Sequence, residues 1–345
     1  MSDVLYFIIL LLFEFVGPFI LLGLVVWGIV ALRKGYREKK SLDSSKGDEV
    51  AMALEKKRIT AQLLKIAGII LWPVGFGAAL AVDAGFEVAL GVGTTCSCVF
   101  LWWSKKVKSE YNASFKSGIV LTELSKHFEN LDYTPDAHLR ADIIRELAFF
   151  THDDCITGND FIAADYKGVH FMQSDICVEE HYVTTSTDDD GNSTEMDHYR
   201  GIFKGRAMCF DFAEAFRGEV QVVKKNFNGA KVTQRGTNWQ SVETELERFN
   251  EDFRSFARDP LDAMAVLTPQ MIEGIYYLEK AVKAPLALFF KGKSMYAFIA
   301  LSRDAYDVTG KKTLLEEKEL LEKDILLVKD FLDTMYFKRQ ERQDA

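Results

Sequence analysis

The sequence predicts a three-helix membrane region followed by an α+β domain, an antiparallel sheet with flanking helices. Three observations carry that expectation. Residues 1–103 hold three apolar stretches of the length and composition that span bilayers. From Phe161 to Lys224, runs of β-branched and aromatic residues alternate with turn signals. Helix starts followed by apolar 3–4 spacing then recur at Thr268-Pro269 and from Thr313 onward. A chain of 345 residues has room for such a membrane part and one sizeable soluble domain.

The first apolar stretch, Val4–Leu32, would reach about 43 Å as a helix, against a hydrocarbon core of roughly 30 Å. With Arg33 and Lys34 at the cytosolic boundary, the outer boundary falls near Phe13. Glu14 then sits among the outer headgroups and Pro18 in the first turn, where a charge stays solvated and a missing donor costs nothing. Residues 33–65 form a basic loop, whose Ser41–Glu49 is breaker-rich and whose Val50–Leu64 has helical spacing. Ile66–Val82 and Val88–Trp103, joined by a short polar turn, read as a helical hairpin over 66–103, with Gly75, Gly77, Gly91 and Gly93 allowing close backbone approach. Basic residues crowd the long loop and recur at Lys105, Lys106 and Lys108, while the turn of the hairpin has none. The positive-inside rule therefore places the amino terminus outside and residues 104–345 in the cytosol.

Within residues 104–345, Ser109–Phe128 reads as a helical stalk and Thr134-Pro135-Asp136 as the start of a helix running to about Phe150. Strands are expected at Phe161–Tyr166, Val169–Cys177, Val178–Ser186, Met196–Phe203, Arg206–Phe212 and Glu219–Lys224. The alternation of Met208, Phe210 and Phe212 suggests a sheet with one buried and one wet face. A helix follows from Thr268-Pro269, then a hairpin of Leu286–Phe290 and Tyr296–Leu301. The last helix, Thr313–Phe337, carries Leu321, Ile325, Val328, Leu332 and Met335 as a heptad-like seam.

Chemistry is sparse in this pattern. The five cysteines have no CxxC spacing. His181 and His198, on two strands of one hairpin, and Asp188 and Asp190 in the acidic turn between them are the weak candidates for holding a metal ion. Thr151-His152-Asp153-Asp154-Cys155 gathers a base, acids and a thiol without a spacing that enforces their convergence. Lys291-Gly292-Lys293-Ser294 lacks the preceding glycines of a phosphate loop and sits between strands. The net charge of −9, with the basic residues concentrated beside the membrane segments, disfavours nucleic acid as a partner. No catalytic residue and no cofactor are assigned.

One resemblance stands out. The runs Gly201-Ile202-Phe203-Lys204-Gly205, Phe210-Asp211-Phe212, Val242 through Phe253, Asp259-Pro260 and Val266 through Glu273 are similar to a bacterial membrane-protein family known as a domain of unknown function, number thirty-one thirty-seven. The similarity covers Phe161 to Leu301. It implies a membrane-associated bacterial protein and names no reaction, and it brings in a LemA-type membrane protein as a candidate partner. The expectation is therefore a membrane-anchored, non-enzymatic scaffold or interaction module that binds a protein partner or self-associates. The alternatives are an oligomeric transport or channel component, and a membrane-tethered metal-dependent hydrolase.

Overall fold

The protein is described by a computed structural model over residues 22–41, 49–81, 85–187, 193–231 and 238–337. Two units divide it. Residues up to Ile119, with Val308–Glu319, form a helical unit; Val120–Asp307, with the residues from Leu320 onward, form a sheet unit.

In the helical unit, α1 (residues 22–41), α2 (Glu49–Ala81) and α3 (Phe86–Phe115) follow the apolar pattern. The basic segment Val50–Leu64 and the apolar stretch after it run together as one helix, with Pro73 inside it. Helices α2 and α3 approach closely at Gly93, where a Cβ would stand 2.8 Å from the Trp72 carbonyl oxygen. Gly75 packs there too, whereas Gly77 and Gly91 face open space. Polar contacts hold the opposite end: Ser104 Oγ donates to the Ala61 carbonyl at 2.8 Å, Lys57 Nζ to Ser114 Oγ at 2.9 Å, and buried Arg58 pairs with Glu38 and Glu55.

Three spans are expected from the sequence. Among the described residues one helix, over Glu49–Ala79, is long and apolar enough to cross a membrane. Val88–Trp103 is helical as expected, but Thr94, Thr95 and Ser97 interrupt its apolar run. The first stretch is described only from Leu22, so Glu14 and Pro18 lie outside the described residues. Helix α3 continues through a π-helical turn (Lys116–Val120) into α4 (Leu121–His127). The apolar face of this expected stalk is already covered, with Tyr111, Phe115, Ile119, Leu124 and Phe128 all buried.

The sheet unit holds strands β1 (Glu129–Thr134), β2 (Cys155–Tyr166), β3 (Val169–Thr187), β4 (Ser193–Asp211), β5 (Glu219–Lys224), β6 (Gln240–Val242), β7 (Phe253–Ala257), β8 (Leu286–Lys291) and β9 (Ser294–Ala300). They form one antiparallel sheet in the order β1-β2-β3-β4-β9-β8-β5-β7-β6. Helices α5 (Ala141–Glu146), α6 (Glu247–Asp252), α7 (Pro260–Val266), α8 (Pro269–Val282) and α9 (Leu314–Leu332) complete it, the last giving its first residues to the helical unit.

Four expectations need correction. Thr134 ends a strand instead of capping a helix, because the chain around it pairs with the bulge in β2: Asp160 N donates to the Pro135 carbonyl at 2.9 Å and Phe161 N to the Ala137 carbonyl at 3.0 Å. The helix after it spans only Ala141–Glu146. The four segments read between Val169 and Phe212 are two long strands, β3 and β4. The central sheet is buried on both faces, since Ala207, Met208, Cys209 and Phe210 are all covered. Phe149 stacks on Phe298 and Phe150 meets it edge-on on one side, while α9 lays Phe331 on Phe210 on the other. Finally, the seam of α9 is spent inside the molecule: Leu321, Ile325, Val328, Leu332 and Met335 are all buried, and Met335 packs on Gly274 of α8.

Candidate functional site

A groove of about 410 Å³ opens beside the short edge strand β6. Its walls are the loop Glu243–Leu246, helix α7, and the start of α8 from Thr268 to Ile272. Local sequence builds each wall. Asp259 caps α7 by accepting from Leu261 N at 3.0 Å, with Pro260 at the first helical position, and Thr268 Oγ1 accepts from Met271 N at 3.3 Å to cap α8. The loop is pinned by Asn250, whose Oδ1 accepts from Thr244 N at 2.9 Å while its Nδ2 donates to the Thr244 carbonyl at 2.8 Å.

These walls leave an apolar surface in water. Val242, Ala263, Leu267 and Ile272 are buried at the floor, while Leu246 at 47% and Met264 at 65% stand exposed. The only charged residues in the lining are the exposed Glu243 and Glu245. An apolar floor with a carboxylate rim suits an apolar segment carrying a cation. Beside it, β6 pairs with β7 on one side, and its other edge is unpaired among the described residues. Such an edge offers main-chain donors and acceptors to an added strand.

The sheet's charged centre is elsewhere. Arg206 is 1% exposed, with Nε 3.3 Å from Asp175 Oδ1 and Nη2 3.3 Å from Asp324 Oδ1. Burial alone would push its guanidinium down, but Asp175 and Asp324 outweigh that and hold it above the ordinary arginine value. Asp324 also takes both 2.7 Å bonds from Arg303 Nη2, Asp175 accepts from Ala305 N, and the Tyr306 ring lies 5.6 Å from the Arg206 guanidinium. Burial likewise pushes the Tyr306 hydroxyl up, and Gln173 Nε2 donates to it at 2.6 Å. This network fastens α9 and the preceding loop to β3 and β4. Apart from the half-buried Arg303, it is closed to solvent and serves the fold.

The metal candidates do not converge. His181 is paired with Tyr199 and His198 with Tyr182, one residue out of the facing register, so the two imidazoles stand on opposite faces of the ribbon. His181 Nε2 meets Asp197 Oδ1 at 2.8 Å and His198 Nε2 meets Thr184 Oγ1 at 2.7 Å. Asp188 and Asp190 lie outside the described residues. Among the described residues, no group of three His, Cys, Asp or Glu side chains is placed to hold a metal ion. His152 is 3.4 Å from Glu180, and Asp154 Oδ2 accepts from His181 N at 3.0 Å. The buried thiol is quiet, since burial pushes Cys209 up to about 12. Arg33, Lys34, Lys105 and Lys106 are exposed on helices α1 and α3.

The groove was written in the sequence only as motif. Val242–Phe253 and Val266–Glu273, two of the runs that carry the resemblance, supply the loop and the helix start. Met264 was outside those runs, although the spacing of Leu261 and Met264 on α7 places two apolar residues on one outward face.

No curated protein matches the chain in sequence. Among solved structures, the crystal structure of the mycobacterial trehalose monomycolate transport factor A, TtfA, is similar with a TM-score of 0.34 and 9% identity, covering 61% of this chain and 93% of that one. Over residues 201–335, which include the groove and five residues of the charged network, Arg206, Arg303, Ala305, Tyr306 and Asp324, the chain matches the family model described as "Protein of unknown function (DUF3137)".

Proposed function

We propose that the protein is a membrane-anchored, non-enzymatic interaction module, and that the groove beside β6 docks an extended, apolar segment of a partner protein bearing lysine or arginine. The observation that carries this reading is the exposed apolar pair Leu246 and Met264 over a buried apolar floor, with two carboxylates in the lining and an open sheet edge alongside. The test places a photo-reactive benzoylphenylalanine at Met264 in living cells. A discrete adduct is expected, its cross-linked peptide apolar and cationic, and its yield should fall at least tenfold when Glu243→Lys and Glu245→Lys are combined. An adduct indifferent to that charge reversal, or none, would overturn the reading. A LemA-type membrane protein is one candidate for the adduct.

The anchor is part of the same proposal. Our reading keeps three spans, near 13–32, 66–82 and 88–103, with the amino terminus outside and the sheet unit on the cytosolic face of a bacterial inner membrane. Support comes from apolar side chains exposed on all three helices, among them Trp27, Val74, Val99 and Trp102, and from the cations at Arg33, Lys34, Lys105 and Lys106. A phosphatase reporter active only outside the cytosol should work when inserted at Gly85 and fail after Phe337. Activity after Phe337 would sink this topology.

A further inference from the structure

The apolar surface of the helical unit ends on a set of cations. Helix α1 packs on α2 at two glycines, Gly28 against Ile70 and Gly35 against Leu63, and α3 packs on α2 through Leu101 against Gly68 and the bond from Ser104 to Ala61. These contacts bring Arg33 and Lys34 of α1, Lys65 of α2, and Lys105 and Lys106 of α3 to the same end of the three apolar stretches. Residues 22–32, 66–81 and 88–104 carry no charge. All five cations are exposed, and none is ion-paired among the described residues. Other cations in the chain do find partners. Further from the apolar stretch of α2, Arg58 is held by Glu38 and Glu55, and in the sheet unit Lys167, Lys204 and Arg258 each meet a carboxylate. Glu38, the nearest carboxylate on α1, is therefore taken, and the first on α3 after Lys106 is Glu110, a turn further from the apolar stretch.

We propose that these five residues form a collar that takes the headgroups of anionic phospholipids in preference to neutral ones, a proposal that rests on the three-span anchor. Like charges gathered on one rim repel each other, and the arrangement becomes favourable when counter-charges sit among them. A leaflet of anionic lipid supplies those counter-charges at this depth, and each cation near its surface adds to the attraction. The neighbouring side chains select lipid over a soluble anion or an acidic protein. Trp102 at 66% and Trp103 at 51% stand exposed just before Lys105. Indole rings favour the junction of hydrocarbon and headgroups, so the surface of α3 passes from aliphatic side chains to aromatic rings to cations in the order a bilayer presents its own layers. Arg33 offers a planar fork of donors to phosphate oxygens, and the four lysines offer ammonium groups on flexible stems.

The test uses the whole chain in nanodiscs holding equal amounts of phosphatidylglycerol and phosphatidylcholine, with the lipids that stay bound identified by native mass spectrometry. The natural chain is expected to retain phosphatidylglycerol over phosphatidylcholine by about fivefold or more, the effect of one well-placed cation. Lys65→Gln, Lys105→Gln and Lys106→Gln combined, all at exposed positions, should bring that ratio to within about twofold of unity. The same three positions changed to arginine should leave it where it was. No preference in the natural chain, a preference unchanged by the glutamine triple, or one lost equally in the arginine triple would overturn the collar. Displacement of the retained lipid by inorganic phosphate would also overturn it, by making the site one for a soluble anion. The phosphatase reporters at Gly85 and after Phe337 judge the anchor separately. Where they read as expected, a missing preference counts against the collar alone.

Discussion

Replacing Arg206 with methionine is expected to lower the stability of the sheet unit by about 3–5 kcal/mol, a large part of the roughly 5–15 kcal/mol that holds an ordinary domain together. The guanidinium stands between Asp175 and Asp324, both nearly inaccessible to solvent. Without it, Asp175 keeps only the Ala305 N–H among its described partners, and Asp324 depends on Arg303. A buried carboxylate with its cation removed bears the full penalty of desolvation, whereas the cation itself contributed little net gain. Arg303→Met removes the more exposed partner of the same Asp324 and should cost less than half as much. Denaturant or thermal unfolding of the purified protein measures both. An Arg206 variant within about 1 kcal/mol of the natural chain would mean that the network is not fully desolvated.

Gly205→Ala is the second large effect. Gly205 has φ 156°, and a Cβ there would stand 1.9 Å from the Ile299 carbonyl oxygen and 2.7 Å from Leu301 N. Backbone, not a pliable side chain, occupies that space, so β4 and β9 must separate where Gly205 pairs with Ala300. A cost of about 3 kcal/mol or more is expected from strain and broken pairing together. Gly201, four residues earlier in the same run, has nothing within 4 Å of its would-be Cβ. Gly201→Ala should be neutral or slightly stabilising, by up to about 0.5 kcal/mol, through a less flexible unfolded chain. Equal losses in the two variants would contradict the geometry.

What the sequence disclosed follows the range of the forces involved. Strand β5, the β8–β9 hairpin with Gly292 at φ 58° in its turn, and the capped start of α8 are local patterns, and they appear where the residues place them. Thr134-Pro135-Asp136 carries an equally good local helix signal, yet long-range pairing prevails, with the Pro135 and Ala137 carbonyls taken by the Asp160 and Phe161 N–H groups of β2. The alternation of Met208, Phe210 and Phe212 showed one buried face and gave no hint that aromatic residues from before β2 would cover the other. His181 and His198 illustrate the sharpest limit: with a side-chain period of two, a one-residue shift in register turns a shared site into two separate contacts. The groove was illegible for another reason. Its walls come from a loop and two helix segments whose meeting depends on the sheet behind them.

The strand order also determines when the sheet can exist. Strands β1 to β4 pair among themselves, and β5, β7 and β6 pair among themselves, but only the β8–β9 hairpin joins the groups, with β9 on β4 and β8 on β5. Its Leu286, Leu288, Phe290, Ala297 and Ile299 are fully enclosed. During synthesis at about 5–20 residues per second, the roughly 80 residues separating β4 from β9 leave two half-sheets waiting for several seconds, each with an apolar margin open. A ribosome pausing before Leu286 would prolong the exposure.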